Sequence, residues 1–149
     1  MAKLFWEDFD VGQVNEYGRQ LVSSKEIKAF AAEFDPQPMH LDEEAGKRTL
    51  VGGLCASGWH TCCIMMKVIA DNLLLDAASM GAPGVDEVKW LKPVRPGDTL
   101  TAWVECAAKV PSKSRPGMGV IHEHWRATNQ KGELVMTAKG INMVRRRPA

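Results

Sequence analysis

The feature that most constrains the fold is the stretch from Trp59 to Leu75. It is as long as a helix, and its weakly polar stripe is His60, Lys67 and Asp71. A helix that is apolar nearly all round has to be wrapped by other structure on most sides. Lys67 and Asp71 interrupt it, and it is too short for a membrane span, so no membrane partner is expected. Ser57 stands where the N-cap of this helix belongs.

The remaining chain has to supply the wrapping. Val85 to Leu91 reads as a strand ending at Pro93. Thr99 to Val110 follows the turn Arg95-Pro96-Gly97-Asp98, and Gly117 to Thr128 follows a Pro/Ser/Gly loop. The hairpin turn Asn129-Gln130-Lys131-Gly132 leads into Glu133 to Val144. Upstream, Leu4 to Val22 is extended, with Gly12 and Gly18 as breaks. Ser23 and Glu26 form a capping box that opens a short helix with Ile27, Phe30, Ala31 and Phe34 on one face. A polar segment, Leu41 to Leu50, and the loop Ser79 to Gly84 flank the long helix. The layout predicts an α+β fold in which one buried helix lies against a curled antiparallel sheet. With no repeat and no linker, the 149 residues read as a single domain, 1–149.

A net charge of +1 gives no reason to expect nucleic acid, and Arg145-Arg146-Arg147 reads as a solvated end. The opening MAKLFWEDFD lacks an apolar signal region. Cys55, Cys62, Cys63 and Cys106 form no C-x-x-C pair and read as small buried apolar residues in a reducing compartment. A cytoplasmic location is expected.

One short segment, FDPQPMHLD at Phe34 to Asp42, sets two prolines between an acid and a base. Each proline locks its own φ and pushes the residue before it out of the helical region, so Asp35 and Gln37 should be extended and a helix should stop near Phe34. Asp35 and His40 are five residues apart. That spacing puts them on opposite sides of a helix and on opposite faces of a strand, so only a turn brings them together.

These residues carry a resemblance. Asp35-Pro36-Gln37-Pro38-Met39-His40 resembles the D-x-N-P-x-H motif of the MaoC-like, (R)-specific enoyl-CoA hydratase family. Ala56-Ser57-Gly58-Trp59 sits where that family carries its A-H-G-M-like helix start, and Leu91 to Asp98 is similar to its later strand-turn signature. Gln37 replaces the family's asparagine and Ser57 its histidine, swaps that bear on substrate choice and on how firmly the turn is held. The resemblance implies the hot-dog fold and a hydro-lyase that interconverts enoyl-CoA and (R)-3-hydroxyacyl-CoA. It implies no metal and no cofactor beyond the coenzyme A of the substrate, and a homodimer of chains paired edge to edge. Pairing would also cover an exposed sheet edge.

Hydrating an α,β-unsaturated thioester needs a base to activate water, an acid to protonate C2 and a donor for charge developing on the thioester oxygen. The resemblance implies Asp35 and His40 as the catalytic pair and the Gly58 N–H as the oxyanion donor. The first N–H groups of a helix have no internal partner, and glycine allows close approach. Gln37, Ser57, Trp59 and His60 are the remaining substrate-binding candidates. Trp59, Met65 and Met66 could shape an acyl tunnel or be plain core. Lys89, Lys92 and Arg95 could meet coenzyme A phosphates or serve solubility. His122 and His124 share a strand face around Glu123, with no third ligand at a telling spacing. Two rival readings are an acyl-CoA thioesterase of the same fold, disfavoured because the long helix carries only Asp71, and a non-catalytic acyl-CoA-binding subunit.

Overall fold

The computed structural model describes residues 1–149. A 3-10 turn at Trp6–Asp8 precedes β1 (Val14–Leu21), α1 (Ser24–Phe34), α2 (Pro38–Leu41), α3 (Glu43–Lys47) and the long helix α4 (Gly58–Ile69). A single π turn, Ala70–Leu74, prolongs α4. Then come β2 (Ser79–Gly81), β3 (Val85–Trp90), β4 (Thr99–Pro111), β5 (Met118–Thr128) and β6 (Leu134–Arg145). Every strand pairing is antiparallel, in the order β1-β4-β5-β6, and β2 and β3 share the far edge of β6.

Local chemistry explains the elements. Ser23 Oγ accepts the Glu26 N–H at 3.1 Å and opens α1. Asn129 Oδ1 accepts the N–H groups of Lys131 and Glu133, and Gly132 takes φ +75°, which closes the β5–β6 hairpin. On β4, Leu100, Ala102, Val104 and Cys106 alternate inward. Leu100, Ala102 and Val104 meet Ile64, Met65, Val68 and Ile69 of α4, together with Ala127, Val135 and Met136, in one core, and Cys106 packs with Ile121 and Val144 in a second, smaller cluster. Fully burying one such large side chain stabilises by about 1.5–3 kcal/mol.

The sheet and, at His60, helix α1 cover much of α4, but one stripe of it stays open. Trp59 is 60% exposed, and Cys63 and Met66 are exposed beside it. The curled sheet reaches one face of α4, and β3, at the sheet edge, leaves that stripe open. Cys63 is therefore not a buried apolar residue, unlike Cys55 and Cys106.

Other expectations change in detail. Residues 6–8 form a turn and not a strand, because Asp8 Oδ2 accepts the Phe5 N–H at 2.8 Å. The polar segment 41–50 contains α3, capped by Asp42 through the Ala45 N–H. Residues 79–81 extend the sheet as β2. Phe34 points outward at 66% exposure, since Asp35 ends the helix there. The C-terminal arginines are anchored: Arg146 pairs with Glu7 at 3.1 Å and Arg147 with Asp8 at 2.6 Å, over the rings of Trp6 and Phe5. No helix is long and apolar enough to cross a membrane.

Candidate active site

The proline turn does what its spacing requires. Asp35 closes α1 at φ −151°, Gln37 is extended at φ −76° and ψ 144°, and Pro38 occupies the first turn of α2, where its missing N–H is harmless. This single helical turn carries His40 back, and its Nε2 lies 3.5 Å from Asp35 Oδ2.

His40 is buried, and its Nδ1 lies 2.7 Å from the Cys55 carbonyl oxygen. A carbonyl only accepts, so Nδ1 carries a hydrogen, and in the neutral ring Nε2 keeps a free lone pair toward Asp35. Asp35 accepts from Ser57 Oγ at 2.6 Å on Oδ2 and from Gln37 Nε2 at 2.7 Å on Oδ1. The Ser57 hydroxyl first, then the Gln37 amide, and to a lesser degree His40, hold the Asp35 carboxyl below the usual carboxylate range against the opposing effect of burial.

Ser57 occupies the N-cap position of α4, but its hydroxyl forms no cap. The expected N-cap position holds, but the hydroxyl does not cap, because it donates to Asp35 instead. Gly58 opens the helix, and no acceptor in the chain takes its N–H. A Cβ at Gly58 would lie 2.4 Å from the indole of Trp90, so glycine is also required by packing.

The segment leading to Ser57 is held on several sides. The Cys55 N–H donates to Met39 O at 3.1 Å and the Ala56 N–H to Val94 O at 2.9 Å. Glu43 Oε2 accepts the Leu54 N–H at 2.9 Å. A Cβ at Gly46 would meet the Gly53 carbonyl oxygen at 2.3 Å, so two backbones cross in contact there. The Arg95 guanidinium donates to the carbonyls of Val51 and, at 3.3 Å, Leu54.

The remaining candidates separate. Trp59 stands exposed, edge-on to Trp90 at 5.2 Å. His60 is buried, stacked on Phe30 of α1 at 4.7 Å, and its Nδ1 has no partner. Burial lowers its pKa, opposed by the charge of Glu26. Met65 is core, whereas Met66 is exposed. Lys89 pairs with Glu87 and Lys92 with Glu133. His124 lies 3.7 Å from Glu105, and no three His, Cys, Asp or Glu side chains converge as metal ligands do. Asp71 pairs with Lys67 at 2.5 Å on the exposed face. Sequence reasoning missed the Cys55 carbonyl that orients His40, which no residue type announces. It also missed the buried Glu123, whose place in an alternating strand pattern, inward-facing, was the available signal.

A long helix on an antiparallel sheet, with a carboxylate and an imidazole meeting near its N-terminus, defines a protein of the hot-dog fold. Residues 10–126 match the family described as MaoC like domain, and the chain belongs to that family. A crystal structure of the MaoC-like dehydratase from Rhodospirillum rubrum is 43% identical, with a TM-score of 0.91 over 98% of this chain and 99% of that one. The uncharacterized protein YdeM of Bacillus subtilis is 32% identical over 139 residues, 89% of this chain and 97% of its own length. A 3-hydroxybutyryl-CoA dehydratase of Methylorubrum extorquens is 31% identical over 114 residues, 75% of this chain and 69% of its own.

Proposed function

We propose that this protein is a hydro-lyase that adds water to a 2-enoyl-CoA thioester, or removes it from the (R)-3-hydroxyacyl-CoA. The observation that carries the reading is the 3.5 Å approach of His40 Nε2 to Asp35 Oδ2 beside Ser57 and the start of α4. Asp35, Ser57 and Gln37 make one hydrogen-bonded unit that keeps the carboxylate ionised. Proton traffic then falls to His40. Its bare Nε2 takes a proton from water as the oxygen bonds to C3, and the C2–C3 π electrons move toward the thioester carbonyl. The imidazolium, facing the Asp35 carboxylate, returns that proton to C2 on the same face, so water is added and nothing is left over. The Gly58 N–H, free at the positive end of α4, faces the oxygen on which charge develops. No cofactor is required beyond the coenzyme A of the substrate.

Two chains pair along β3, whose outer edge is unpaired and flanked by Trp59, Met66 and Trp90. Light scattering after gel filtration reads the assembly.

The test of the activity is Asp35→Asn and His40→Ala. Each abolishes the loss of enoyl absorbance with crotonyl-CoA or longer enoyl-CoA while circular dichroism stays unchanged. Full activity in either variant removes the pair from the chemistry. Release of free coenzyme A from saturated thioesters would favour the thioesterase, a reading weakened by the pairing of Asp71 with Lys67. Binding of enoyl-CoA without turnover would favour a non-catalytic subunit.

A further inference from the structure

Under the open face of α4 lies a cavity of about 750 Å³, bounded by the helix, β3 and the inner faces of β5 and β6. Trp90 lines it, and Trp90 is the residue that fills the space beside Gly58, so one end of the cavity abuts the start of α4. Most of its wall is apolar, including Cys62, Met66, Val88 and Met136. Farther along stands a polar group that the proposed chemistry does not use. Glu123, 5% exposed, accepts from Trp125 Nε1 at 2.9 Å on one oxygen and from Asn142 Nδ2 at 3.2 Å on the other. The Ser79 hydroxyl in turn donates to Asn142 Oδ1 at 3.1 Å.

A carboxylate offers about four acceptor positions, and here two donors serve it, so Glu123 has capacity left over. Burial raises its pKa against the opposing effect of Trp125 and Asn142. A half-satisfied buried acid is poor core material, and an apolar side chain of similar volume would serve stability at least as well. The strand register gives its depth. Trp90 pairs with Met136 and Glu123 with Gly140, four residues farther along β6, which is roughly 13 Å.

We infer that this cavity holds the acyl chain and that Glu123, with Asn142 and Ser79, selects chains carrying a neutral hydroxyl at the far end. The inference rests on the acyl-CoA reading above. A hydroxyl can donate to the free acceptor positions of Glu123 and can also accept if Glu123 is protonated. An anionic terminus meets Glu123 and Asp86, while Glu87, also on the wall, already pairs with Lys89 at 3.5 Å and Lys139 at 3.9 Å. An ammonium terminus has to shed its water along an apolar passage.

The test is equilibrium binding, followed by quenching of tryptophan fluorescence. The probes are saturated medium-chain acyl-CoA thioesters of one length, ending in methyl, hydroxyl, carboxylate or ammonium. The hydroxyl-ended thioester should bind wild type about tenfold tighter than its methyl-ended counterpart, as one added hydrogen bond to a charged acceptor predicts. Glu123→Leu reverses that order, and the near-isosteric Glu123→Gln keeps the fold and diminishes the preference. Equal affinities in wild type, or a hydroxyl preference undiminished in Glu123→Gln, overturns the inference, as does tightest binding of the carboxylate or ammonium. Crotonyl-CoA hydration by wild type is measured in parallel. Its absence removes the hydratase reading alone, because the binding order is read without turnover.

Discussion

Ser57 Oγ lies 2.6 Å from Asp35 Oδ2, and this contact joins the residue before the long helix to the residue that ends the first one. Ser57 is completely buried, and its hydroxyl has left the capping position to make the bond. The serine therefore acts on the acid and not on the helix.

Ser57→Ala should leave α4 in place and reduce hydration. Asp35 loses its strongest stabilising donor, and its pKa rises toward the ordinary carboxylate value. Loss of one hydrogen bond to a charged group corresponds to about a tenfold fall in kcat/KM. The acid limb of the pH–rate profile should move to higher pH. Asp35, with its depressed folded pKa, contributes stability above its unfolded value and loses it as pH falls through the folded one. In the variant the folded and unfolded values draw together, so this contribution shrinks and stability falls by less between neutral and acid pH, which denaturant midpoints across that range will register. An unmoved acid limb would count against the assignment.

His60 predicts a pH effect of the opposite chemical type. Burial against Phe30 lowers its pKa, so the folded protein holds it neutral while the unfolded chain binds a proton near the ordinary histidine value. Its contribution is fully present above that unfolded value and is lost as pH falls toward the folded one. His60→Phe keeps the stack and removes the titration. Denaturant midpoints measured from neutral to mildly acidic pH should fall less steeply in the variant than in wild type. Parallel slopes would assign the acid sensitivity to other groups.

The parts of this molecule that were legible in the sequence are those written in local chemistry. The proline pair dictated that Asp35 and His40 meet, and they do. The Asn129 to Gly132 turn and the alternation of Leu100 to Cys106 announced the hairpins. What stayed hidden depends on distant partners. Ser57 reads as a cap until Asp35, twenty-two residues away, competes for it. Arg95 reads as a surface cation until the Val51 and Leu54 carbonyls approach it across forty residues of chain. The apolar run of α4 calls for cover, but not for cover that this chain leaves incomplete at Trp59 and Met66.

Gly58 has two possible reasons to be glycine, and a double substitution separates them. Gly58→Ala alone drives a methyl into the Trp90 ring and should destabilise by about 1–3 kcal/mol, the usual range for overpacking. Adding Trp90→Ala opens the space and should recover much of the relative stability, measured against Trp90→Ala alone. Hydration should stay low in the double variant, because the methyl still obstructs approach of the thioester oxygen to the N–H. Recovery of activity together with stability would make packing the whole reason.

Arg95 supplies the last prediction. It is half-buried, and its guanidinium spans the Val51 and Leu54 carbonyls, the stretch of chain that delivers Cys55, Ser57 and Gly58. A planar fork can serve both acceptors at once, whereas a lysine ammonium on a flexible stem cannot hold the same geometry. Arg95→Lys should therefore disturb the orientation of His40 through Cys55 and of Asp35 through Ser57, lowering kcat about tenfold with a small change in KM. Had Arg95 bound a coenzyme A phosphate instead, the substitution would raise KM, and the effect would shrink with thioesters of dephospho-coenzyme A. The expected result is the same fall in kcat with either thioester. That outcome makes Arg95 a positioning residue, acting through two carbonyls on groups it never touches.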